Sequence, residues 1–251
     1  MEIRMEEFRK FAREIWNAVF PETACFVCGE EVSDKKLCLC ESCKSEFVFA
    51  TNVCLKCGSP IENGKFCPIC RNRKRAFAVA RAPLVFDGKA REIVWNFKYN
   101  KRPYLAKYLA RFMEPLVCEF GKVDVLIPVP LHDHKLKLRG YNQSKLLAEE
   151  LSKLVGMEVD CESLIRVKNT ETQTNLNFKQ RRDNMKDAFE VVGDEFKGKH
   201  VLVVDDVLTT GATAESCATA LAKAGASRVD VLTVATVDLA KSVSKKSETA
   251  V

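Results

Sequence analysis

Two adjacent carboxylates, followed closely by hydroxyls and a glycine, form the pattern in this chain most suited to chemistry. Asp205 and Asp206 come directly after the apolar run 201–204, and the loop 209–213 reads Thr-Thr-Gly-Ala-Thr. This order predicts a β-strand that leads to the acids and a helix that begins after the loop. Because open α/β sheets bind ligands at the carboxyl ends of their strands, we expect a pocket at this point.

The loop has the composition of a phosphate site. Backbone N–H groups and threonine hydroxyls converge on an anion there, and the positive end of the helix dipole favours it further. The neighbouring carboxylates can accept hydrogen bonds from sugar hydroxyls or lie near a metal-bound pyrophosphate. A phosphate beside a vicinal diol describes a ribose 5-phosphate. A P-loop NTPase is excluded because the chain has no G-x-x-x-x-G-K-[ST] segment.

Cysteine spacing indicates a second kind of site. Eight of the twelve cysteines form four C-x-x-C pairs: Cys25 and Cys28, Cys40 and Cys43, Cys54 and Cys57, Cys67 and Cys70. Two such pairs hold one tetrahedral Zn²⁺, so we expect two closed, structural zinc sites, with an iron-sulfur cluster or disulfides as the alternatives. We assign the pairs sequentially, although a cross-braced arrangement has the same spacing. Cys38 competes with Cys40, whose distance from Cys43 fits better.

The remaining cysteines stand alone in apolar surroundings, where small buried residues are expected: Cys118, Cys161 and Cys217. Apolar periodicity divides the chain into an amphipathic helix within 1–22, a cysteine-held module over 23–74, an α/β domain over 75–238 and a disordered tail over 239–251. In the α/β domain we expect a parallel sheet flanked by helices, with helices over 89–98, 104–117, 143–155 and 213–224. Residues 168–187 lack periodicity and predict a long loop.

Composition and charge limit the partners. The longest apolar runs fall far below the roughly 20 residues that cross a bilayer, so we expect no membrane span. The grouping of the cysteines in C-x-x-C pairs fits metal binding in a reducing cytosol, so we expect a cytoplasmic protein. Residues 71–111 contain twelve Lys and Arg against two acidic residues, a footprint for phosphates unless it is simply a solvated surface. Aromatic residues lie among these charges, as in single-strand binding sites. Trp95 and Phe97, however, have the spacing more often found in a core.

The segment "VLVVDDVLTTGAT" resembles the phosphoribosyl pyrophosphate (PRPP) motif of type I phosphoribosyltransferases, and the wider chain resembles the ComF family of competence-related proteins. The segments 127–151 and 166–189 and the N-terminal cysteine pairs carry the same resemblance. It implies a type I phosphoribosyltransferase fold, with a parallel sheet flanked by helices, behind a double zinc ribbon. It also implies PRPP as ligand, together with Mg²⁺.

The resemblance further implies residue roles. Asp205 and Asp206 would be the catalytic acids at the ribose hydroxyls. The 5-phosphate would be held by the loop residues Thr209, Thr210, Gly211, Ala212 and Thr213. Arg139 and Gly140 would bind the pyrophosphate. A mobile active-site loop would contribute Gln173, Arg181 and Arg182.

The function implied is a phosphoribosyltransferase whose acceptor the sequence does not name, linked to DNA uptake in natural transformation. Candidate partners are single-stranded DNA and other competence proteins, such as a DNA translocase. Two alternatives stay open. The chain could be a single-stranded nucleic-acid-binding protein, or a non-catalytic PRPP sensor that uses the same pocket.

Overall fold

The structure, a computed structural model, describes residues 24–168, 180 and 184–239. These fall into two compact units, one up to Phe47 and the other from Val48 onward. The predicted N-terminal helix and residues 240–251 lie outside the described residues. The domain limits drawn from the sequence therefore stay predictions.

The first unit is small and built around its cysteines. Helix α1 (Glu41–Ser45) begins directly after Cys40, whose sulfur accepts a hydrogen bond from the Cys43 backbone N–H at 3.4 Å. Isolated antiparallel bridges join Ala24 to Glu31 and Asp34 to Leu39. The first four paired cysteines, Cys25, Cys28, Cys40 and Cys43, all lie in this unit.

The second unit contains a parallel sheet, as predicted. The described strands are β1 (Ala80–Arg81), β2 (Leu84–Val85), β3 (Val125–Pro128), β4 (Leu164–Arg166), β5 (Phe189–Val191), β6 (His200–Leu208) and β7 (Arg228–Thr236). The sheet order is β1–β7–β6–β3, with β2 also paired to β7, and every pairing in it is parallel. Strands β4 and β5 form a separate antiparallel pair. The central strands β6 and β7 are buried along most of their length, as strands covered by helices on both faces must be.

The described helices of this unit are α2 (Pro68–Asn72), α3 (Gly88–Tyr99), α4 (Leu105–Met113), a 3₁₀ helix (Glu114–Phe120), α5 (Asp133–Arg139), α6 (Gln143–Val155) and α7 (Ala212–Lys223). Helix α6 has the predicted limits and ends at Gly156 in the left-handed conformation, with φ 69°. The helix predicted over 104–117 changes to 3₁₀ geometry after Met113. Pro115 explains this difference, because proline has no N–H to continue the α-helical ladder.

The second group of cysteines belongs to the core under the sheet. Cys54, Cys57 and Cys67 are at most 2% exposed and pack in one apolar cluster with Phe77 and Ala80. The backbone at Gly58 lies close to the backbone of Ala80, since a Cβ at Gly58 would lie 2.8 Å from the Ala80 carbonyl oxygen. The second ribbon is therefore built into the sheet unit.

Candidate functional site

The two predicted acids lie in the second half of β6, which continues to Leu208. Asp206 is buried, and Asp205 is half-buried. Both line a cavity of about 560 Å³. Thr209 and Thr213, from the loop and the first turn of α7, line the same cavity.

Each acid has a partner from another element. The Ser144 hydroxyl, in the first turn of α6, donates to Asp205 Oδ1 at 2.8 Å. Lys98, near the end of α3, places its Nζ 2.8 Å from Asp206 Oδ1. Burial and the adjacent Asp206 charge raise the pKa of Asp205 to about 6, although Lys98 and Ser144 act in the opposite direction. The pKa of Asp205 therefore lies well above the usual value for an aspartate.

The charge of Lys98 is stabilised by the acids. Burial alone would lower the pKa of Lys98, but the nearby Asp206 and Asp205 charges outweigh it, and the pKa is raised. Lys98 therefore stays protonated and neutralises part of the acid pair. Nothing in the local sequence of α3 marks this lysine among its neighbours.

Three basic side chains form a cationic wall of the cavity. Lys135 and Arg139 lie on α5, Arg166 lies on β4, and all three line the cavity. Burial and the charges of Arg166 and Arg139 lower the pKa of Lys135 to about 8. Crowded cations of this kind are relieved by a bound polyanion. Arg139 is also held in place, because its Nη1 donates to Gln143 Oε1 at 3.0 Å.

Gly140, the other residue that the resemblance assigns to the pyrophosphate, lies at the end of α5. It is the residue that ends α5, in the left-handed conformation with φ 82° and its N–H bonded to the Leu136 carbonyl. The turn at Gly140 reverses the chain so that Asn142 can cap α6. Asn142 Oδ1 accepts a hydrogen bond from the Ser144 N–H at 3.0 Å. This turn delivers Ser144 to the acid pair.

The 209–213 loop makes a tight turn into α7. Thr210 is buried, and its Oγ1 accepts from the Ala212 N–H at 3.3 Å. Gly211 is the residue before the helix, with φ 80°. Thr209 and Thr213 thus face the cavity while Thr210, Gly211 and Ala212 shape the turn.

Two exposed aromatic rings complete the cavity rim. Trp95 is 54% exposed and Tyr99 45% exposed, one turn apart on α3, with ring centroids 4.5 Å apart. The Arg139 guanidinium lies over Tyr99 at 5.1 Å. The expectation that Trp95 belongs to the core is wrong, whereas Phe97 is buried, because the helix presents these residues in different directions.

The basic run 71–75 is only partly on the surface. Arg75 is buried and pairs with Glu215 at 2.9 Å, and Arg73 pairs with the same carboxylate. A lone buried cation would be costly, so the arginine lies where a carboxylate compensates it. Arg71 and Lys74 are exposed.

The eight paired cysteines form two tetrads in the sequential order. Within each, all four sulfurs lie within 4.8 Å of one another: Cys25, Cys28, Cys40 and Cys43; then Cys54, Cys57, Cys67 and Cys70. A tetrahedral site with Zn–S bonds of about 2.3 Å has sulfur separations of about 3.8 Å. The Cys28–Cys40 and Cys57–Cys67 sulfurs are 3.6 and 3.7 Å apart, which fits zinc. Cys38 instead points its sulfur at the Lys35 carbonyl, at 3.6 Å.

The other predicted residues divide three ways. Cys217 is buried as expected, Cys161 is half-buried, and Cys118 is exposed on the short 3₁₀ helix, against expectation. Gln173, Arg181 and Arg182 lie outside the described residues.

Leu239, assigned to the tail, is buried, and its N–H donates to Ser59 Oγ at 3.1 Å. The described helices include none long and apolar enough to cross a membrane.

Comparison with protein families defines the class first. The chain matches the phosphoribosyl transferase domain over residues 143–251 and the double zinc ribbon domain over residues 15–71. It therefore combines a phosphoribosyltransferase-type domain with a double zinc ribbon, as the sequence predicts.

Relatives then define the family. Competence protein F of Haemophilus influenzae is 30% identical over 220 residues, covering 82% of this chain and 94% of the relative. The DNA utilization protein YhgH of Escherichia coli K12 is 27% identical, with the same two coverages. Competence protein ComFC of Bacillus subtilis is 29% identical over 76% of this chain and 80% of the relative. The chain belongs to the competence protein F (ComF) family.

Among solved structures, adenine phosphoribosyltransferase from Leishmania tarentolae is similar over 68% of this chain and 71% of that chain. The two are 16% identical, with a TM-score of 0.37. A likeness this slight says nothing about the substrate.

Proposed function

We propose that the protein binds PRPP with Mg²⁺ in the cavity at the end of β6 and transfers, or senses, its phosphoribosyl group. The observation that carries this proposal is the convergence of an acid pair, a threonine-rich loop and a cationic wall on one cavity. A ribose diol, a 5-phosphate and a pyrophosphate need those three surfaces.

The charges of the cavity suit a highly anionic ligand. Its basic lining residues are Arg91, Lys98, Lys101, Lys135, Arg139 and Arg166, against the two acids Asp205 and Asp206. Lys98 lies against Asp206, whereas Lys135, Arg139 and Arg166 come from α5 and β4. A ligand with neutral hydroxyls at one end and a pyrophosphate at the other matches this arrangement.

The donor set also fits Mg²⁺. This ion prefers oxygen ligands and is usually held by one or two carboxylates together with substrate phosphates. Asp205 and Asp206 are adjacent carboxylates that both reach the cavity. When bound, Mg²⁺ would supply charge neutralisation to the departing pyrophosphate.

In a transfer reaction, the bond from the ribose C1 to pyrophosphate breaks, and the bonding electrons leave with the pyrophosphate. A bond from C1 to the acceptor forms. Asp205 and Asp206 would hold the ribose hydroxyls and stabilise positive charge on the sugar, while Arg139 and Arg166 would stabilise the leaving group. The acceptor is not identified by any of these side chains.

Family membership supports a role in the handling of DNA. The relatives are named for competence and for DNA utilization. We propose that this protein acts in the cytoplasm on the same process, where a reducing environment keeps its thiolates available for zinc. Competence proteins such as a DNA translocase would then be its protein partners.

The test of PRPP binding is isothermal titration calorimetry with PRPP, with and without Mg²⁺. We expect saturable, Mg²⁺-dependent binding by the wild type and none by the Asp205→Asn/Asp206→Asn variant. Asp194→Asn, on an exposed residue, is the matched control and should bind normally. Pyrophosphate release across a panel of acceptors separates an enzyme from a sensor.

The exposed rings at the rim favour a second function, binding of single-stranded DNA. Stacked aromatics with neighbouring cations accept bases regardless of sequence, and each stacked base contributes about 1–3 kcal/mol. Here Trp95 and Tyr99 lie with their ring planes tilted by 47°, and Arg91, Lys101 and Arg139 line the same cavity.

Titration of a labelled single-stranded oligonucleotide, followed by fluorescence anisotropy, tests this function. We expect binding that weakens steeply with salt and an affinity that falls at least about tenfold in Trp95→Ala. Exchange of the buried Phe97 for Leu is the control for general disturbance of the helix. Affinity that is independent of salt would exclude this function.

A further inference from the structure

A buried arginine contacts the 209–213 loop. Arg75 Nη1 donates to the Thr210 carbonyl oxygen at 2.9 Å and to Glu215 Oε1, also at 2.9 Å. Its side chain is 1% exposed. Thr209 and Thr213 line the cavity, whereas Arg75 lies with Phe77 and Gly211 around a separate small pocket.

This contact sets the direction of a peptide group in the loop. A trans peptide is planar, so the Gly211 N–H points away from the Thr210 carbonyl. The described residues contain no cis peptide bonds. With its carbonyl held by Arg75, this peptide directs its N–H to the other face of the loop, the orientation that an anion nest requires.

The same arginine contacts the second cysteine tetrad. Arg75 Nε lies 3.5 Å from Cys70 Sγ and donates to it. A zinc-bound thiolate keeps negative charge and accepts such bonds, and second-shell donors orient metal ligands. One planar guanidinium therefore touches a metal ligand at one end and the loop carbonyl at the other.

We propose that Arg75 is a positioning residue that couples the second cysteine tetrad to the phosphate loop. The zinc site thus orients the loop as well as stabilising the ribbon. The coupling rests on the proposed function, because the loop must be the phosphate site. Its chemistry is a charge-assisted chain from Cys70 through Arg75 to the Thr210 carbonyl.

Arg73 supplies the matched control. It pairs with Glu215 too, yet its side chain is 28% exposed, and its hydrogen bond within the described residues goes to that carboxylate. Removal of Arg73 leaves the Cys70–Arg75–Thr210 chain in place. Each of Arg75→Met and Arg73→Met removes one cation from Glu215. Only Arg75→Met also removes the contacts to Cys70 and to the Thr210 carbonyl.

The first measurement is PRPP affinity in the zinc-loaded protein, by calorimetry with Mg²⁺. Arg75→Met should weaken binding by about tenfold or more, since it loses a charged hydrogen bond to a buried carbonyl. Arg73→Met should stay within about twofold of the wild type. Arg75→Lys keeps the charge but cannot hold both ends at once, so an intermediate affinity is expected.

The second measurement reads the metal directly. In cobalt-substituted protein, saturating PRPP should shift the thiolate-to-cobalt absorption bands of the wild type and of Arg73→Met. The shift should vanish in Arg75→Met, because coupling between two sites is reciprocal. A merely structural role for Arg75 would lower thermal stability without removing this response.

The outcomes are separable. If the wild type does not bind PRPP, the proposed function fails, and the coupling fails with it. If the wild type binds but its cobalt bands do not respond, or Arg75→Met binds with unchanged affinity, the coupling alone is overturned. The wild-type cobalt response remains decisive even if Arg75→Met does not fold.

Discussion

Replacement of Lys98 by Met should destabilise the protein in a way that depends on pH. The lysine Nζ lies 2.8 Å from Asp206 Oδ1, with the two side chains 22% and 9% exposed. Methionine keeps most of the apolar stem but removes the charge. Asp205 and Asp206 then remain as adjacent carboxylates without this cation.

The magnitude follows from the geometry. Two unit charges at this separation attract by about 6 kcal/mol at an effective dielectric constant of about 20. Part of this is offset by the cost of desolvating both groups, and loss of one partner from a buried pair costs about 3–5 kcal/mol. Because Lys98 is partly exposed, we expect the lower value of about 3 kcal/mol. The melting temperature should fall by about 6–12 °C.

The loss of stability in Lys98→Met should depend on pH through Asp205. Without Lys98, the folded-state pKa of Asp205 rises further above its unfolded value. Below the unfolded pKa, near 4, both states are protonated and little charge repulsion is left. The destabilisation therefore grows as pH rises through the raised pKa, and it is complete at pH 8.

The assay is thermal denaturation at pH 5 and pH 8. Lys153→Met, from an exposed pair in which the lysine is 65% exposed, is the control and should cost at most about 1 kcal/mol at either pH. Addition of Asp206→Asn to Lys98→Met should recover much of the loss at pH 8. Equal destabilisation at both pH values, or a loss no larger than the control, would refute the reasoning.

Three further predictions address the ligand and the metal. PRPP affinity, measured by calorimetry from pH 5 to 9, should peak between about pH 6 and pH 8. Binding needs Asp205, with a pKa of about 6, to be ionised and Lys135, with a pKa of about 8, to be protonated. A flat pH profile would contradict this. Gly211→Ala should weaken PRPP binding about tenfold without unfolding the protein, because φ is 80° and a guanidinium nitrogen lies 3.0 Å from the new Cβ. Unchanged affinity in calorimetry, with a normal circular dichroism spectrum, would count against it. Cys54→Ser, in the core of the sheet unit, should lower the melting temperature and the zinc content together. Cys25→Ser, in the first tetrad, should leave PRPP affinity intact. Loss of PRPP binding in Cys25→Ser would show that the first tetrad also serves the site.

Local patterns in the sequence were enough to predict the strand, the loop and the helix that carry the site. A strand, a glycine-containing loop and a helix follow one another within 25 residues, and each has its own periodic or turn signal. Helix α6 was equally clear, because Gly156 marks its end. These elements are determined by neighbours along the chain.

The side chains that complete the site could not be predicted in this way. Lys98 and Trp95 lie on a helix whose apolar and basic residues are mixed, so the sequence does not show which face meets the sheet. Only the packing of α3 brings Lys98 to Asp206.

Arg75 is the strongest case of a long-range determinant. Within the basic run 71–75 it has the composition of a surface residue, and the sequence suggested a nucleic-acid contact. Its burial depends on Glu215, which lies 140 residues further along the chain. No local signal predicts a pairing over that separation, so charge runs alone cannot assign an interface.

The most direct test of the central claim is calorimetric titration of PRPP with Mg²⁺ into the wild type and into Asp205→Asn/Asp206→Asn. We predict one binding site per chain in the wild type, dependent on Mg²⁺, and its loss in the variant while the fold is kept. An absence of binding by the folded wild type at millimolar PRPP, or equal binding by the variant, would contradict a PRPP site at the end of β6.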